Sequence, residues 1–302
     1  MTVEKKVVIP TIEEAKIWQF DTYLFDADGV LWRSTNTMPG AINFITKLLE
    51  KGKQVFIVTN NSTKTTEQYV KKLHELGFAK IGEFTEKGVY LVGTSAVQEM
   101  LEKGTGATVI GTGPDPMPAN TIRRKRRSIP FSHQPDPIPA KIIFMTEIDV
   151  SRPVSAVVVG YDAHFSYPKI AKAANYAKNP KIGFFVTNED FTFPVPNSDI
   201  VMPGTGCITA AVRAACLPRH PVLFGKPSSL MSEYLKTNFQ LKETVMFGDR
   251  LDTDIKFANE NSFTSCWMQT GVHTMEDVQR AHDEGKDGHL IPDCTYSFHI
   301  HD

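Results

Sequence analysis

The chain has 302 residues, 41% hydrophobic and 22% charged, with a formal net charge of −1. That length and balance fit a globular protein of one large domain or two ordinary ones, and the near-neutral charge supplies no field for nucleic acid or an acidic membrane. There is no apolar run long enough to span a bilayer and no secretion signal at the start, and four scattered cysteines (Cys207, Cys216, Cys266, Cys294) form no CxxC pair, so a cytoplasmic chain with reduced thiols is expected.

The first predicted strand is "TYLF", which runs straight into "DADG". "GAINFITKLLEKG" follows with Ile42, Ile45, Leu48 and Leu49 at helical spacing and stops at Gly52. "QVFIV" is the next strand. "STKTTEQYVKKLHELG" is the next helix, with Ser62 or Thr63 as N-cap, Val70, Leu73 and Leu76 on its apolar face, and Gly77 at its end. Further strands are expected at "VYLV", "ATVIG", "KIIFM", "VSAVVV", "KIGFFV", "PVLFG", "TVMF" and "SCWMQ". Between "ATVIG" and "KIIFM" lies a proline-rich stretch, Thr112 to Pro139, that contains "RRKRR" and reads as a solvated surface loop. Strands alternating with helices imply a doubly wound parallel sheet, and in such sheets chemistry gathers at the carboxyl ends of the strands.

Four of these strands end in polar residues: "FDADG", "VTNNS", "FGKPS" and "FGDRLDTDI". If the strands are neighbours in one sheet, the four ends face one crevice. Carboxylates without a nearby histidine or cysteine suit a hard cation, of which magnesium is the common choice. Lys226 and the donors around Asn60 complement an anion whose oxygens such a cation bridges. Metal, lysine, hydrogen-bond donors and a carboxylate poised for attack describe a phosphoryl site. Each segment alone has a plain reading as a turn or a helix start; the ordered combination carries the signal.

The same segments resemble the motifs of the haloacid dehalogenase superfamily. "DADGVLW", "VTNNSTKT", "VVVGYDAHFSYPKI", "PGTGCITAAV", "LFGKPSSLM" and "FGDRLDTDIKFA" are similar to the branch of 4-nitrophenylphosphatases, which includes phosphoglycolate and pyridoxal phosphatases. The resemblance runs from Thr22 to Phe298. It implies a Rossmann-like core made of residues 1–86 and 204–302, an inserted α/β cap at 87–203, and a homodimer formed through the cap.

It also implies roles. Asp26 becomes the nucleophile that forms an aspartyl phosphate, and Asp28 the general acid and then the base; residues two apart in an extended chain project to one side. Mg2+ would be held by Asp26, the Asp28 carbonyl and Asp249, with Asp254 supporting that shell. Lys226, Thr59, Asn60 and Asn61 would hold the phosphate. Phe193 lies in "TNEDFTFPVPNS", which resembles the specificity loop, at a position where pyridoxal phosphatases resemble one another in having histidine. That points away from pyridoxal phosphate and towards a small ester such as 2-phosphoglycolate or glycerol phosphate, with pyridoxal phosphate or a phosphoprotein as the alternative. A receiver domain uses similar groups, but its accepting acid follows the third strand, and "QVFIV" is followed by "TNN". A non-catalytic scaffold of the same family is the other rival.

Overall fold

The computed structural model describes residues 6–78 apart from 62 and 65, residues 153–193, residues 200–298 apart from 286 and 287, and isolated residues between 89 and 151. The predicted strand "KIIFM", the N-cap candidate Ser62 and the basic run Arg123 to Arg127 lie outside the described residues, as does "ATVIG" apart from Val109 and Gly111, which are in no strand.

A six-stranded parallel sheet has β1 (Thr22–Phe25) at its centre. On one side lie β2 (Gln54–Val58) and β3 (Val89–Tyr90). On the other lie β7 (Thr244–Gly248), β8 (Thr264–Trp267) and β9 (Cys294–Thr295). Every residue of β1 and β7 is buried, as expected for central strands covered by helices on both faces. Phe25 stands in register with both Ile57 and Phe247. The chain therefore leaves β1, β2 and β7 at one level, which brings Asp26, Thr59 and Asp249 to the same edge.

Helix α1 (Ala41–Glu50) buries Ala41, Phe44, Ile45 and Leu48. Its inward face is turned slightly from the expected one. Phe44 points in, while Ile42 and Leu49 pack at the margin. The reason is aromatic: the Phe44 ring lies 5.9, 5.3 and 5.4 Å from those of Phe247, Tyr296 and Phe298. Helix α2 (Thr66–Glu75) buries Tyr69 and Leu73 against the same core.

A second, three-stranded parallel sheet has the order β6–β5–β4, with β4 (Ala156–Val159), β5 (Gly183–Val186) and β6 (Val222–Leu223). Helices α3 (Tyr167–Ala177) and α4 (Thr205–Ala215) cover it. Val159, Ala174, Phe184, Val186, Ile208, Val212 and Cys216 form its core. The second sheet takes in elements on the far side of the boundary expected at 203/204. Helix α4 and strand β6 belong with the second sheet, because Ile208 and Val212 complete its apolar cluster and Val222–Leu223 adds its third strand. The chain returns to the six-stranded sheet after Leu223. No helix among the described residues is long and apolar enough to cross a membrane.

Phe44→Ala removes the ring that joins α1 to the aromatic centre of the sheet. A destabilisation of ~3–5 kcal/mol is expected, read as a shift of the denaturant midpoint for the main unfolding transition.

Candidate active site

The edge shared by β1, β2 and β7 carries a cluster of buried charge. Asp26 Oδ1 accepts from Lys226 Nζ at 2.7 Å, and Asp254 Oδ1 lies 2.7 Å from the same nitrogen. Lys226 Nζ also donates to the Val58 carbonyl at 2.5 Å. Asp254 Oδ2 accepts from the backbone N–H groups of Asp249 and Arg250. Asp26, Asp249 and Asp254 each offer an oxygen within 4.8 Å of the others.

Close backbone approaches make the cluster possible. Gly29 has φ +89°, and a Cβ there would stand 2.8 Å from Asp249 Oδ2. A Cβ on Gly271 would stand 1.7 Å from that oxygen. Both loops need glycine to pass against the acid. A short π-helical turn, Leu251–Ile255, follows Asp249 and brings Asp254 back beneath it.

Burial sets the electrostatics. It pushes the Asp26 carboxyl well above the usual carboxylate range; Lys226 opposes the shift, and Asp254 and Asp249 add to it. Asp249 is pushed up to about 7, first by burial and then by Asp254. Burial alone would lower the Lys226 ammonium, yet Asp254 and Asp26 raise it above its ordinary value. Asp249 Oδ2 accepts from the Val272 N–H at 2.9 Å, whereas its Oδ1 is buried without a hydrogen-bond partner. A buried, unsatisfied carboxylate oxygen beside two further acids fits a hard cation, which takes oxygen ligands. Both oxygens of Asp254 are already engaged, so it suits the support of such an ion rather than its ligation.

The remaining predicted residues fall into place differently. Asp28 does not join the acid cluster. Its Oδ2 accepts from Asn61 Nδ2 at 2.7 Å and its Oδ1 from Trp32 Nε1 at 2.8 Å. The side chain of Asn61 is thus committed to Asp28, and its Oδ1 also accepts from Thr63. Thr59 is buried and its Oγ1 accepts from the Asn61 N–H. Asn60 grips the Lys226 peptide on both sides, accepting from its N–H at 2.9 Å and donating to its carbonyl at 3.0 Å. Its side chain is a clamp for the lysine and is not free for an anion. Lys226 itself does not end a strand of the main sheet, contrary to the four-neighbour expectation. It follows β6 of the second sheet and reaches across. Phe193 is 38% exposed, edge-on to Tyr161 at 5.6 Å, in a two-residue pairing with Met202–Pro203.

Four contributors escaped the sequence reading. Asn188 donates to the Asn60 carbonyl at 3.0 Å. Asp190 accepts from Asn60 at 3.4 Å and lies 4.0 Å from Arg250, which donates to the Thr192 carbonyl next to Phe193. Trp32 binds Asp28. A signal for Asn188 was present: "VTN" closes β2 at Val58–Asn60 and closes β5 at Val186–Asn188.

Comparison with known proteins agrees with this geometry. Residues 23–120 match a family model described as haloacid dehalogenase-like hydrolase, and residues 223–293 a second model for HAD-like hydrolases. The mouse glycerol-3-phosphate phosphatase is 32% identical, over 91% of this chain and 88% of its own length. A NipSnap protein of Caenorhabditis elegans is 43% identical over 80% of this chain, which spans 47% of that relative. The solved 4-nitrophenylphosphatase of Thermotoga maritima superposes with a TM-score of 0.64 at 25% identity, covering 92% of this chain and 94% of its own. The chain belongs to the haloacid dehalogenase-like hydrolases and is a phosphatase of that family.

The raised acids have a thermodynamic consequence. Between the ordinary carboxylate value and about 7, the folded protein keeps a proton on Asp249 that the unfolded chain releases. The folded state then binds more protons, so stability falls as pH rises through that window. In chelator, the thermal midpoint should drop between about pH 5 and about pH 7, and a divalent cation should flatten the dependence. Calorimetry with and without the cation checks this.

Proposed function

We propose that the chain is a magnesium-dependent phosphomonoesterase that works through an aspartyl phosphate on a small phosphate ester, such as glycerol phosphate or 2-phosphoglycolate. The observation that carries the reading is the unlike setting of two acids two residues apart. Asp26 is tied to the buried Lys226, whereas Asp28 is held by Asn61 and Trp32 outside the acid cluster. One is placed for attack beside positive charge, the other for proton transfer.

Asp26, Asp249 and the Asp28 carbonyl would hold the magnesium, with Asp254 behind them. When bound, the ion supplies positive charge to the phosphate oxygens and offsets the repulsion among the acids. The protein's own groups account for the rest. A carboxylate oxygen of Asp26 bonds to phosphorus as the ester P–O bond breaks. The Asp28 carboxyl gives its proton to the departing oxygen and is left as carboxylate. Asp28 then takes a proton from water, whose oxygen bonds to phosphorus as the Asp26–phosphorus bond breaks. Inorganic phosphate leaves and both acids are restored. Lys226 holds charge on the nucleophile and the phosphate, and Thr59 donates its hydroxyl hydrogen to a phosphate oxygen. Asn60 keeps the lysine in place.

The unit built on the second sheet acts as the cap in this reading, with Phe193 taking part in substrate choice. The name of the mouse relative favours glycerol phosphate, and that of the bacterial structure favours an undemanding pocket. A panel of phosphate esters with magnesium, ranked by kcat/KM, tests the substrate class; no phosphate release from any of them would end the proposal.

Asp26→Asn should lose turnover on every ester while keeping the wild-type circular dichroism spectrum, since an amide is too weak a nucleophile. Near-normal turnover would reassign the attack.

Asp28→Asn should discriminate by leaving group. Nitrophenolate departs with little help, while an alkoxide needs the proton, and acid assistance is worth ~10²–10⁴-fold. Single-turnover cleavage of glycerol phosphate should therefore slow far more than that of 4-nitrophenyl phosphate.

A further inference from the structure

The turn after β1 folds back on itself within five residues. Gly29 donates to the Trp32 carbonyl at 2.8 Å and Leu31 to the Ala27 carbonyl at 2.9 Å. This returns Trp32 to the side of Asp28, where the indole Nε1 donates to Oδ1 at 2.8 Å. The indole is fully buried. Tyr69 packs on it with ring centroids 6.4 Å apart, and the ammonium of Lys72 sits 4.3 Å from its ring centroid. The same ammonium is 3.9 Å from Asp28 Oδ1. Asn61 takes the other oxygen at 2.7 Å. Tyr69 in turn donates to the Asn61 carbonyl at 3.0 Å. The carboxyl of Asp28 is thus held at both oxygens, by groups that are themselves packed or bonded, and its plane has little freedom to turn.

We infer that Trp32, backed by Lys72, is a positioning residue that aims the Asp28 carboxyl at the leaving oxygen. The inference rests on Asp28 being the acid. A buried indole also simply needs a partner for its N–H, and that bland role would tie Trp32 to stability alone. The two roles part at the leaving group. Aim matters only where a proton must be delivered, since proton transfer needs the donor within hydrogen-bond reach of the acceptor.

The test uses Trp32→Phe, which keeps an aromatic ring under Lys72 and removes the N–H. The pre-steady-state release of nitrophenol from excess 4-nitrophenyl phosphate counts folded sites through its burst amplitude, and its rate needs little help from the acid. Glycerol phosphate cleavage in the same preparation reports the proton delivery. The expected result is a loss of ~10-fold in the alkyl rate relative to the aryl rate, the order of one hydrogen bond to a charged group. Lys72→Met, at a residue only partly buried, should shift the ratio in the same direction and serves if Trp32→Phe gives no burst. An unchanged alkyl-to-aryl ratio in the folded variants, while Asp28→Asn keeps its contrast, overturns the inference. If Asp28→Asn itself shows no contrast, the acid assignment falls, and the inference falls with it.

Discussion

The ammonium of Lys226 lies 2.7 Å from Asp26 and 2.7 Å from Asp254 and donates to the end of β2, with almost no contact with water. Burying such a charge is costly, and the cost is offset only when its partners are close and otherwise satisfied. Here two carboxylates and a carbonyl meet that condition. The converse also holds: without the lysine, Asp26 and Asp254 would be left as two buried acids facing each other. Removing one member of a buried charge pair typically costs ~3–5 kcal/mol for that reason. The lysine therefore fixes the relative positions of the loops after β1, β2 and β7, and every other group at the site is placed with respect to them.

What places the lysine is a joint between the two sheets. Asn60, at the end of β2, holds the Lys226 peptide by both its N–H and its carbonyl. Asn188, after β5, holds the Asn60 carbonyl. The Gly225 N–H donates to the Thr187 carbonyl, and a side chain at Gly225 would collide with that carbonyl and with Asn60. Arg250 adds a reach from the acid loop to the Thr192 carbonyl and to Asp190. The segment that carries Phe193 and the segment that carries Asp249 are thus linked through short, polar contacts.

Much of this was legible in the sequence because it is local. The strands "TYLF", "QVFIV" and "TVMF" announce themselves by composition, and the acids stand next to them. The helix over 41–50 follows from its period, although Phe44 took the inward place because aromatic residues far along the chain, Tyr296 and Phe298, meet it there. The end of the second sheet was not legible. Helix 205–215 reads the same whichever sheet it covers, and only the packing of Ile208 and Val212 decides. The work of Asn60 was hidden for a similar reason. An asparagine at a strand end can serve an anion or a peptide, and its partner here is 166 residues away. Trp32 stood in the motif "DADGVLW", but the bond from its indole to Asp28 depends on a turn that composition does not specify.

The pairing of Lys226 with Asp26 spans 200 positions of the chain. During synthesis, β1 and Asp26 leave the ribosome long before the cation that offsets the acid. Any closure of the sheet over Asp26 before Lys226 is made would bury a carboxylate with no partner, which burial penalises. The last strand of the second sheet precedes the lysine by three residues, so the placing of Lys226 beside its acids is tied to the docking of that sheet. Long-range closure of this kind slows folding, because the entropy of a long loop is lost before any contact compensates it. The buried acid–lysine cluster therefore cannot be completed until residues 226 and 254 have been made, and a ribosome-bound fragment ending before Lys226 would lack the cation that offsets Asp26.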